Sequence, residues 1–230
     1  MKLKDFVNKG YYINLDYKTE RNEKTIEELR KYDLLDLVQR VSAVQAFDQT
    51  VVCEYGSDDW KKCVDGCTQS HLKIINEAID NNYERILVFE DDIHFYEDGI
   101  IPAMSKIEDA LDEISKVNAW DILYLGGSLL DQYVTLADKH LIRVGGMNTS
   151  HAYILNHTAF EKIKSRYHYA YPMDVLLSAN LHPKFSVYPM VVAQRGGDVS
   201  DIGGHHSFGP SGFVNSYLKP INNLDSFINR

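Results

Sequence analysis

The sequence predicts an α/β protein in which strands and helices alternate around one central sheet, and three observations predict it. The chain begins with a strand, an amphipathic helix and a second strand, which together form a βαβ unit. Four apolar residues at 86–89 indicate a buried strand, and three carboxylates follow them directly. Further short apolar strands then alternate with helical patterns as far as residue 193.

Composition and charge exclude several classes of partner. The 230 residues are 44% apolar and 25% charged, which is typical of a globular domain. A net charge of -9 argues against a nucleic-acid partner, because such a partner calls for a basic surface. No apolar run approaches the ~20 residues that span a bilayer, and the first residues have no apolar signal core. Three cysteines do not make a disulfide framework, so we expect a cytoplasmic protein without a transmembrane segment.

The first βαβ unit consists of a strand at 11–16, a helix at 18–32 and a strand at 37–44. Asn14 and Arg21 flank the carboxyl end of the first strand. An amide at this position can form hydrogen bonds with the edge of a nucleotide base, and a guanidinium can bind its ribose or phosphate. On spacing alone, a turn-shaping role for Asn14 and a surface position for Arg21 are favoured.

The next segment predicts a loop and then a helix. Polar residues at 47–62 predict a mobile loop, which we expect to lie over the candidate site at residues 90–92. Gly66 then opens a helix whose apolar residues, from Leu72 to Ile79, have helical spacing. The free backbone N–H groups and the partial positive charge at the start of that helix suit a phosphate.

Three potential zinc ligands on this segment, Cys63, Cys67 and His71, lie four residues apart. Ligands on one straight helix face cannot surround a zinc ion tetrahedrally, and Cys53 would have to supply the fourth. Because the chain has no Cys-x-x-Cys pair, a zinc site is disfavoured.

The acidic end of the strand at 85–89 is the stretch around which the chain is organised. Side chains alternate along a strand, so Glu90 and Asp92 share one face and Asp91 takes the other. Like charges this close need a neutralising cation, and oxygen ligands favour Mg²⁺ or Mn²⁺. Ligands of open α/β sheets bind beyond the carboxyl ends of the strands, where this cluster lies. The alternative is a solvated turn in which Asp91 or Asp92 caps the next segment.

The spacing of apolar residues in the second half of the chain predicts four strands and three helices. The strands are placed at 120–125, 140–144, 150–155 and 187–193, and the helices at 102–116, 156–163 and 172–177. Gly126 and Gly127 end the first of these strands and either admit a ligand or another backbone closely or form a tight turn. Residues 194–212 are rich in glycine and include His205 and His206, which predicts a lid or a ligand-binding loop.

Six sequence blocks, in their order along the chain, carry a family resemblance. They are Tyr12-Ile13-Asn14-Leu15-Asp16 with Arg21, Gly66-Cys67-Thr68-Gln69-Ser70-His71, Leu87-Val88-Phe89-Glu90-Asp91-Asp92, Trp120-Asp121-Ile122-Leu123-Tyr124-Leu125-Gly126, Ala152-Tyr153 and Pro172-Met173-Asp174. Together these blocks resemble glycosyltransferase family 25, the lipooligosaccharide and procollagen galactosyltransferase group. They cover nearly the whole chain, and the Gly-Cys-x-x-Ser-His helix followed by the Glu-Asp-Asp strand is a specific combination.

The resemblance implies a single GT-A domain over residues 1–230, a Rossmann-like nucleotide-sugar-binding fold with a mixed central sheet. It implies metal-dependent, inverting transfer of a hexose, galactose or glucose, from a UDP-sugar to a hydroxyl of a glycan or glycoconjugate. Asp92 is then expected to bind Mn²⁺ or Mg²⁺, with Glu90 beside it. The residues implied for the donor site are Asn14, Arg21, Ser70, His71, Glu90, Asp91 and Gly126.

A one-step inversion needs a carboxylate that takes the proton of the acceptor hydroxyl. Asp174 is the first candidate for this base and Asp121 the second, and Asp198 and Asp201 on the late loop are further ones. His205 or His206 could complete the metal site, since imidazole binds Mn²⁺.

Two other functions stay open at this stage. A Mg²⁺-dependent nucleotidyltransferase or phosphohydrolase would share the acidic strand end, yet it leaves the blocks at 66–71 and 172–174 unexplained. A sugar-nucleotide-binding module without catalysis is the other alternative. Because the 230 residues show no signal peptide or extra domain of the secreted collagen-modifying members, we expect the glycan-assembly members of the family, including those of lipopolysaccharide biosynthesis, to be nearer.

Overall fold

The computed structural model of the protein describes residues 1–47, 55–97, 99–130, 135–196 and residue 202. Its helices are α1 (Leu3–Phe6), α2 (Thr19–Lys31), α3 (Asp58–Asp80), α4 (Ala103–Ile114), α5 (Phe160–Arg166) and α6 (Met173–Asn180), with a 3-10 turn at His157–Ala159. Its strands are β1 (Lys9–Asn14), β2 (Val38–Ser42), β3 (Arg85–Glu90), β4 (Ile93–Phe95), β5 (Ile122–Tyr124), β6 (Ser128–Leu129), β7 (Thr135–Asp138), β8 (Leu141–Val144), β9 (Met147–Asn148), β10 (Ala152–Asn156), β11 (Lys184–Val187) and β12 (Val192–Gln194). No helix within the described ranges combines the length and the hydrophobicity needed to cross a membrane.

Eight strands form one mixed sheet in the order β2-β1-β3-β10-β5-β11-β8-β7. Strands β2, β1 and β3 run parallel, and β10 lies antiparallel between β3 and β5. Strand β11 is parallel to β5 and antiparallel to β8. The carboxyl ends of β1, β2, β3 and β5 therefore meet at one edge, and the start of β10 reaches the same edge because β10 runs the other way.

Helices cover both faces of this sheet. Alternation along β1 and β3 sends Tyr11 and Val88 into one core and Tyr12 and Phe89 into the other. Helices α3, α5 and α6 cover the first face, and α1, α2 and α4 cover the second. The apolar residues 86–89 of β3 are fully buried, so the carboxylates that follow them stand on a rigid support.

Helix α3 begins at Asp58, so the predicted start at Gly66 is wrong. The Ser57 hydroxyl caps the helix by accepting from the Trp60 N–H at 3.0 Å, and two aspartates in the first turn complement the dipole. Gly66 lies inside the helix, and only glycine fits there because a Cβ would come 2.9 Å from the Val44 carbonyl oxygen. The phosphate site predicted at a helix start near Gly66 is therefore absent from the described chain, and residues 48–54 of the predicted loop lie outside it.

The strand predicted at 187–193 is wrong as a single element. Strand β11 ends at Val187, and Pro189, which has no N–H to donate, interrupts the run. The chain then forms β12, which pairs with β4 in a separate two-stranded sheet. This pairing brings Gln194 of β12 beside Asp92.

Gly126 lies where the chain after β5 meets the segment that leads into β12. A Cβ on this residue would lie 1.6 Å from the Val192 carbonyl oxygen and 2.8 Å from Nε2 of His151. The neighbouring Leu125 carbonyl accepts hydrogen bonds from the N–H groups of Val191 and Val192, at 3.0 and 3.1 Å. Of the roles left open by the sequence, the structure gives Gly126 the close approach of another backbone.

We expect Gly126→Ala to lower the free energy of unfolding by about 3 kcal/mol or more, because the new methyl group would push two backbone segments apart. Urea unfolding measures the change. Gly146→Ala is the matched control, since the nearest atoms there are side-chain atoms of Leu130 and Ser178 at 3.3 to 3.4 Å, which can adjust. The control should cost about 1 kcal/mol or less. Equal losses in the two variants would contradict the assignment.

Glu28 fastens α2 to β4 beneath the acidic strand end. Its buried carboxylate accepts from the Phe95 N–H at 2.7 Å and from Lys31 Nζ at 2.8 Å, and His94 Nδ1 lies 3.2 Å away. Burial opposes ionisation of Glu28, but the hydrogen bonds from His94, Lys31 and Phe95 outweigh it and lower the pKa to about 2.

We expect Glu28 to make stability depend on pH in acid. Its folded pKa lies below the unfolded value of ~4.3, so the ionised group stabilises the fold above that pH. The contribution is lost as the pH falls towards the folded pKa. The unfolding free energy of the wild type should exceed that of Glu28→Gln by on the order of 2 kcal/mol at pH 7, and the gap should close in strong acid. A gap in urea unfolding that stays constant between pH 7 and pH 3 would refute this role.

Candidate active site

Strand β3 presents three consecutive carboxylates at the edge where the parallel strands end. The side chains of Asp91 and Asp92 are 9% and 12% exposed, and that of Glu90 is 21% exposed. Carboxylates with so little contact with water need partners. Each of the three carboxylates has different partners, and the partners indicate a different role for each.

Asp91 is held by the protein itself. Its carboxylate accepts from Nδ2 of Asn14 at 2.7 Å and forms an ion pair with the Arg21 guanidinium. Its carbonyl oxygen accepts from the Thr25 hydroxyl at 2.7 Å. Two elements, β1 and α2, therefore fix Asp91, as expected for the carboxylate that faces away from its two neighbours.

Asn14 positions other groups rather than offering a free amide. Its Nδ2 donates to Asp91 and to the Lys18 carbonyl, and its Oδ1 accepts from Nε of Arg40 at 3.0 Å. Arg40 also forms an ion pair with Asp16 at 2.6 Å. Arg21 reaches past Asp91 to Asp92, 3.5 Å away, so the surface position that spacing favoured for it is not what the structure shows.

Glu90 faces helix α3. Its Oε1 accepts from the Ser150 hydroxyl at 2.8 Å and lies 3.4 Å from Nε2 of His71. Burial opposes ionisation, but the neighbouring His71 imidazole and the Ser150 hydroxyl lower the pKa of Glu90 to about 2. Glu90 is therefore a carboxylate at neutral pH.

Asp92 is the least satisfied of the three carboxylates. Its Oδ2 accepts from Gln194 Nε2 at 3.1 Å, whereas its buried Oδ1 has no hydrogen-bond partner among the described residues. Burial, followed by the charge of Glu90, raises the pKa of Asp92 to about 7. A divalent cation would satisfy the orphaned oxygen and neutralise both charges, so Asp92 and Glu90 fit an oxygen-ligand metal.

Two clefts meet at these carboxylates. The first is bounded by the turn after β1, the segment after β2 and the inner face of α3. Its polar lining includes Arg21, Ser70 and His71, and its apolar lining includes Tyr17 and Phe47. An aromatic and apolar wall beside a guanidinium suits a nucleoside with its phosphates.

The second cleft lies on the other side of the acidic strand end, with a volume of about 430 Å³. Glu90 and Asp92 line it as they line the first cleft, and Asp174 lines only this one. Asp174 lies in the first turn of α6, as predicted from the sequence. Its carboxylate is half-buried and accepts from the N–H of Thr149 at 3.1 Å. Thr149 has a φ of 74°, an uncommon value for a β-branched residue, and that conformation accompanies the bond to Asp174.

Two aromatic side chains form the outer wall of the second cleft. The rings of Tyr55 and Trp60 pack edge to face, with centroids 4.9 Å apart. Tyr55 is 84% exposed, which is high for a large apolar ring. Such a surface can stack against the C–H face of a sugar ring.

Asp121, the second candidate for the base, does not reach this site. It precedes β5, so it lies at the opposite edge of the sheet from Glu90. Its buried carboxylate accepts from Lys162 Nζ at 2.6 Å, from the Thr158 hydroxyl and from the His182 N–H. The structure therefore removes Asp121 from the candidates.

Two residues expected at the donor site have structural roles. The Ser70 hydroxyl donates to the Gly66 carbonyl at 2.7 Å and accepts from the Val44 N–H at 2.8 Å, which fastens α3 to the segment after β2. Gly126 packs against Val192 and lines neither cleft. Ser70 still lines the first cleft, and His71 lies beside it.

Several predicted residues lie outside the described chain: Asp198, Asp201, His205 and His206, with most of the loop at 194–212. Cys63 is disulfide-bonded, which the sequence did not predict, whereas Cys67 is free. A zinc site built on Cys63 is thereby excluded.

Sequence reasoning missed three residues that hold the site together: Ser150, His151 and Gln194. Ser150 reaches Glu90, and Gln194 reaches Asp92. His151 contacts Thr149 through Nδ1 and the Val192 carbonyl through Nε2, each at 3.0 Å. The sequence does contain a signal, because the polar residues Ser150 and His151 directly precede the apolar strand β10. This signal indicates the site only when β10 is known to run antiparallel to β3.

With this geometry in place, the family can be stated. Residues 7–177 match glycosyltransferase family 25, whose description adds LPS biosynthesis protein. The match covers most of the chain, and the chain belongs to this family. The predicted family is confirmed, and so is the predicted α/β fold with a mixed central sheet.

Individual relatives are distant. A protein of Anopheles gambiae named Glycosyltransferase 25 family member is 28% identical over 171 residues, which cover 66% of this chain and 28% of the relative. The chain thus spans little more than a quarter of that relative. Among solved structures, A197 from STIV shares 12% identity at a TM-score of 0.43, over 86% of this chain and 99% of its own. UDP-glucose pyrophosphorylase complexed with UDP-glucose shares 10% identity at a TM-score of 0.43, over 96% and 82% of the two chains.

Proposed function

We propose that this family 25 glycosyltransferase is a Mn²⁺-dependent, inverting hexosyltransferase. It moves galactose or glucose from a UDP-sugar to a hydroxyl of a glycan or glycoconjugate, and residues 1–230 act as one GT-A domain. One observation carries the proposal: two clefts share the carboxylates Glu90 and Asp92, and a third carboxylate, Asp174, lines only the second cleft. That arrangement suits two substrates which meet at one charged centre.

The first cleft is the proposed donor site. Tyr17 and Phe47 offer apolar surface to the uracil ring, and Arg21 lies where the diphosphate would enter. Arg21 already neutralises part of the charge of Asp91 and Asp92. Asn14 and Arg40 keep Asp91, and through it Arg21, in place.

Asp92, with Glu90, is the proposed holder of the cation. When bound, Mn²⁺ neutralises the negative charge that develops on the departing diphosphate. The protein contributes a preorganised pair of carboxylates at the end of a buried strand, and Oδ1 of Asp92 has no hydrogen-bond partner among the described residues. His205 or His206 would complete the set.

Asp174 is the proposed general base in the second cleft. The acceptor oxygen forms a bond to the anomeric carbon while the bond to the UDP oxygen breaks, and the hydroxyl proton passes to the Asp174 carboxylate. The N–H groups of Thr149 and Val175 each donate to one oxygen of the Asp174 carboxylate, at 3.1 and 2.8 Å, and each oxygen keeps a second lone pair for the proton.

The proposal is tested by nucleoside diphosphate release from a panel of UDP-hexoses, with Mn²⁺ or with EDTA, first without acceptor and then with glycan acceptors. We expect slow release from one donor that requires Mn²⁺ and accelerates with an acceptor. Release of pyrophosphate or inorganic phosphate instead would support the nucleotidyltransferase or phosphohydrolase alternative. Metal-dependent donor binding by calorimetry without turnover on any acceptor would support a binding module.

We expect the Tyr55–Trp60 pair to bind the acceptor sugar. Trp60→Ala should raise the KM for the acceptor by about fivefold or more, because a stacking contact is worth about 1 kcal/mol or more. Release of UDP to water without acceptor should stay unchanged. Tyr169→Ala is the matched control, since that ring is 58% exposed and lines neither cleft. A donor KM that rises in parallel with the acceptor KM would count against this assignment.

A further inference from the structure

The acidic strand end also faces a second set of potential ligands, on helix α3. Cys67 and His71 lie one turn apart on this helix, and both point towards Glu90 at the end of β3. One potential ligand atom from each residue lies within 4.8 Å of the others. Glu90 comes from a different element, so the three donors do not share one helix face.

The burial and the hydrogen bonding of the His71 imidazole are those expected of a metal-binding histidine. His71 is 1% exposed, and its Nδ1 is hydrogen-bonded to the Tyr153 hydroxyl at 2.7 Å. The other nitrogen, Nε2, is buried and lies 3.4 Å from Oε1 of Glu90, and it makes no well-formed hydrogen bond to a described residue. Such a long contact satisfies a buried nitrogen poorly, and a hydrogen bond on the opposite ring nitrogen is the usual support of a metal-binding histidine.

We propose that Cys67, His71 and Glu90 form a site for a thiophilic divalent cation, Zn²⁺ or Cd²⁺, which shares Glu90 with the oxygen-ligand site at Asp92. The donor set of one sulfur, one imidazole nitrogen and one carboxylate oxygen is that of zinc and not of Mn²⁺ or Mg²⁺. Ligand atoms around a tetrahedral zinc are about 3.3–3.8 Å apart. A separation of at most 4.8 Å therefore closes with about 1 Å of side-chain movement.

The position of the site gives it a consequence for catalysis, and this part rests on the proposed function. Cys67 and Glu90 line both clefts, so an ion held between them would lie beside both proposed substrate sites. Glu90 belongs to both metal sites. A zinc ion on Cys67 and His71 would take Glu90 from the Mn²⁺ site, and zinc would then inhibit the transferase.

Cadmium absorption tests the site without any substrate. Protein freed of metal is titrated with Cd²⁺, and the near-ultraviolet band of a cadmium–thiolate bond is followed. Cys67 is the free cysteine among the described residues, so we expect a band that saturates at one equivalent. Cys67→Ser should abolish the band, and His71→Gln should weaken Cd²⁺ binding by at least tenfold. Asp92→Asn is the matched control and should keep the band, since it alters only the oxygen-ligand site.

Three results would overturn the site: no band in the wild type below millimolar Cd²⁺, a band of equal strength in Cys67→Ser, or equal Cd²⁺ affinity in His71→Gln with the circular dichroism of a folded protein. Inhibition is measured separately, as the Zn²⁺ concentration that halves the Mn²⁺-dependent release of UDP by each variant relative to its own zinc-free rate. Cys67→Ser should need at least tenfold more Zn²⁺. The titration contains neither donor nor acceptor, so its failure and the failure of the proposed transferase activity are distinguishable.

Discussion

Asp92→Asn should lower Mn²⁺-dependent turnover by at least about a hundredfold and abolish the part of donor binding that requires the metal. Asp92 is the carboxylate with a buried oxygen that no described residue satisfies, and an amide cannot replace the charge that holds a divalent cation. UDP release measures the turnover, and calorimetry with and without Mn²⁺ measures donor binding.

The same variant should be at least as stable as the wild type when no metal is present. Burial and the charge of Glu90 already raise the pKa of Asp92 to about 7, so a neutral, nearly isosteric amide relieves repulsion. Thermal unfolding in EDTA measures this. Asp36→Asn, in the exposed turn before β2, is the control that should change neither property. Near-wild-type turnover of Asp92→Asn at saturating Mn²⁺ would refute the metal assignment.

Asp174→Asn should lower kcat by about 10²–10⁴, the usual contribution of a general base, and leave the affinity for the donor unchanged. The amide oxygen can accept only one of the two hydrogen bonds that the carboxylate receives from the N–H groups of Thr149 and Val175, so the variant loses one of them together with the capacity to take a proton. Steady-state kinetics with a saturating donor and calorimetry of donor binding measure the two quantities.

Asp121→Asn provides the contrast. Its carboxylate accepts from Lys162 and Thr158 at the far edge of the sheet, so the variant should lose about 1–3 kcal/mol of stability and keep the kcat of its folded fraction. If Asp174→Asn lost donor affinity in step with rate, or if Asp121→Asn lost kcat while folded, the roles of these two aspartates would be wrong.

Local features of the sequence predicted the centre of the site and the family. The apolar run at 86–89 is buried on both faces, and such a run predicts its own strand without knowledge of its neighbours. The alternation of side chains predicts that Glu90 and Asp92 share one face. In the structure both line the second cleft and Asp91 does not, although Arg21 contacts both Asp91 and Asp92. The position of Asp174 in the first turn of its helix was likewise predicted locally, from the apolar helical run that follows it and from the helix dipole.

Features that depend on contacts between distant segments could not be predicted. Glycine has a low helix propensity, so Gly66 predicted a helix start. In the structure it lies inside α3, where the Val44 carbonyl leaves no room for a Cβ. Asp121 and Asp174 both adjoin regular elements in the sequence. Which of them faces Glu90 depends on the order and the direction of the strands.

The antiparallel insertion of β10 between β3 and β5 is the decisive case. It brings Ser150 to Glu90, sets Tyr153 behind His71 and leaves Gly126 against Val192. No periodicity or spacing reports which strand will pair with which, because that choice is made by the burial of whole faces and by the pairing of backbone groups far apart in the chain. The sequence therefore identifies which residues are candidates for the site, but only the order and direction of the strands determine which of them lie close together.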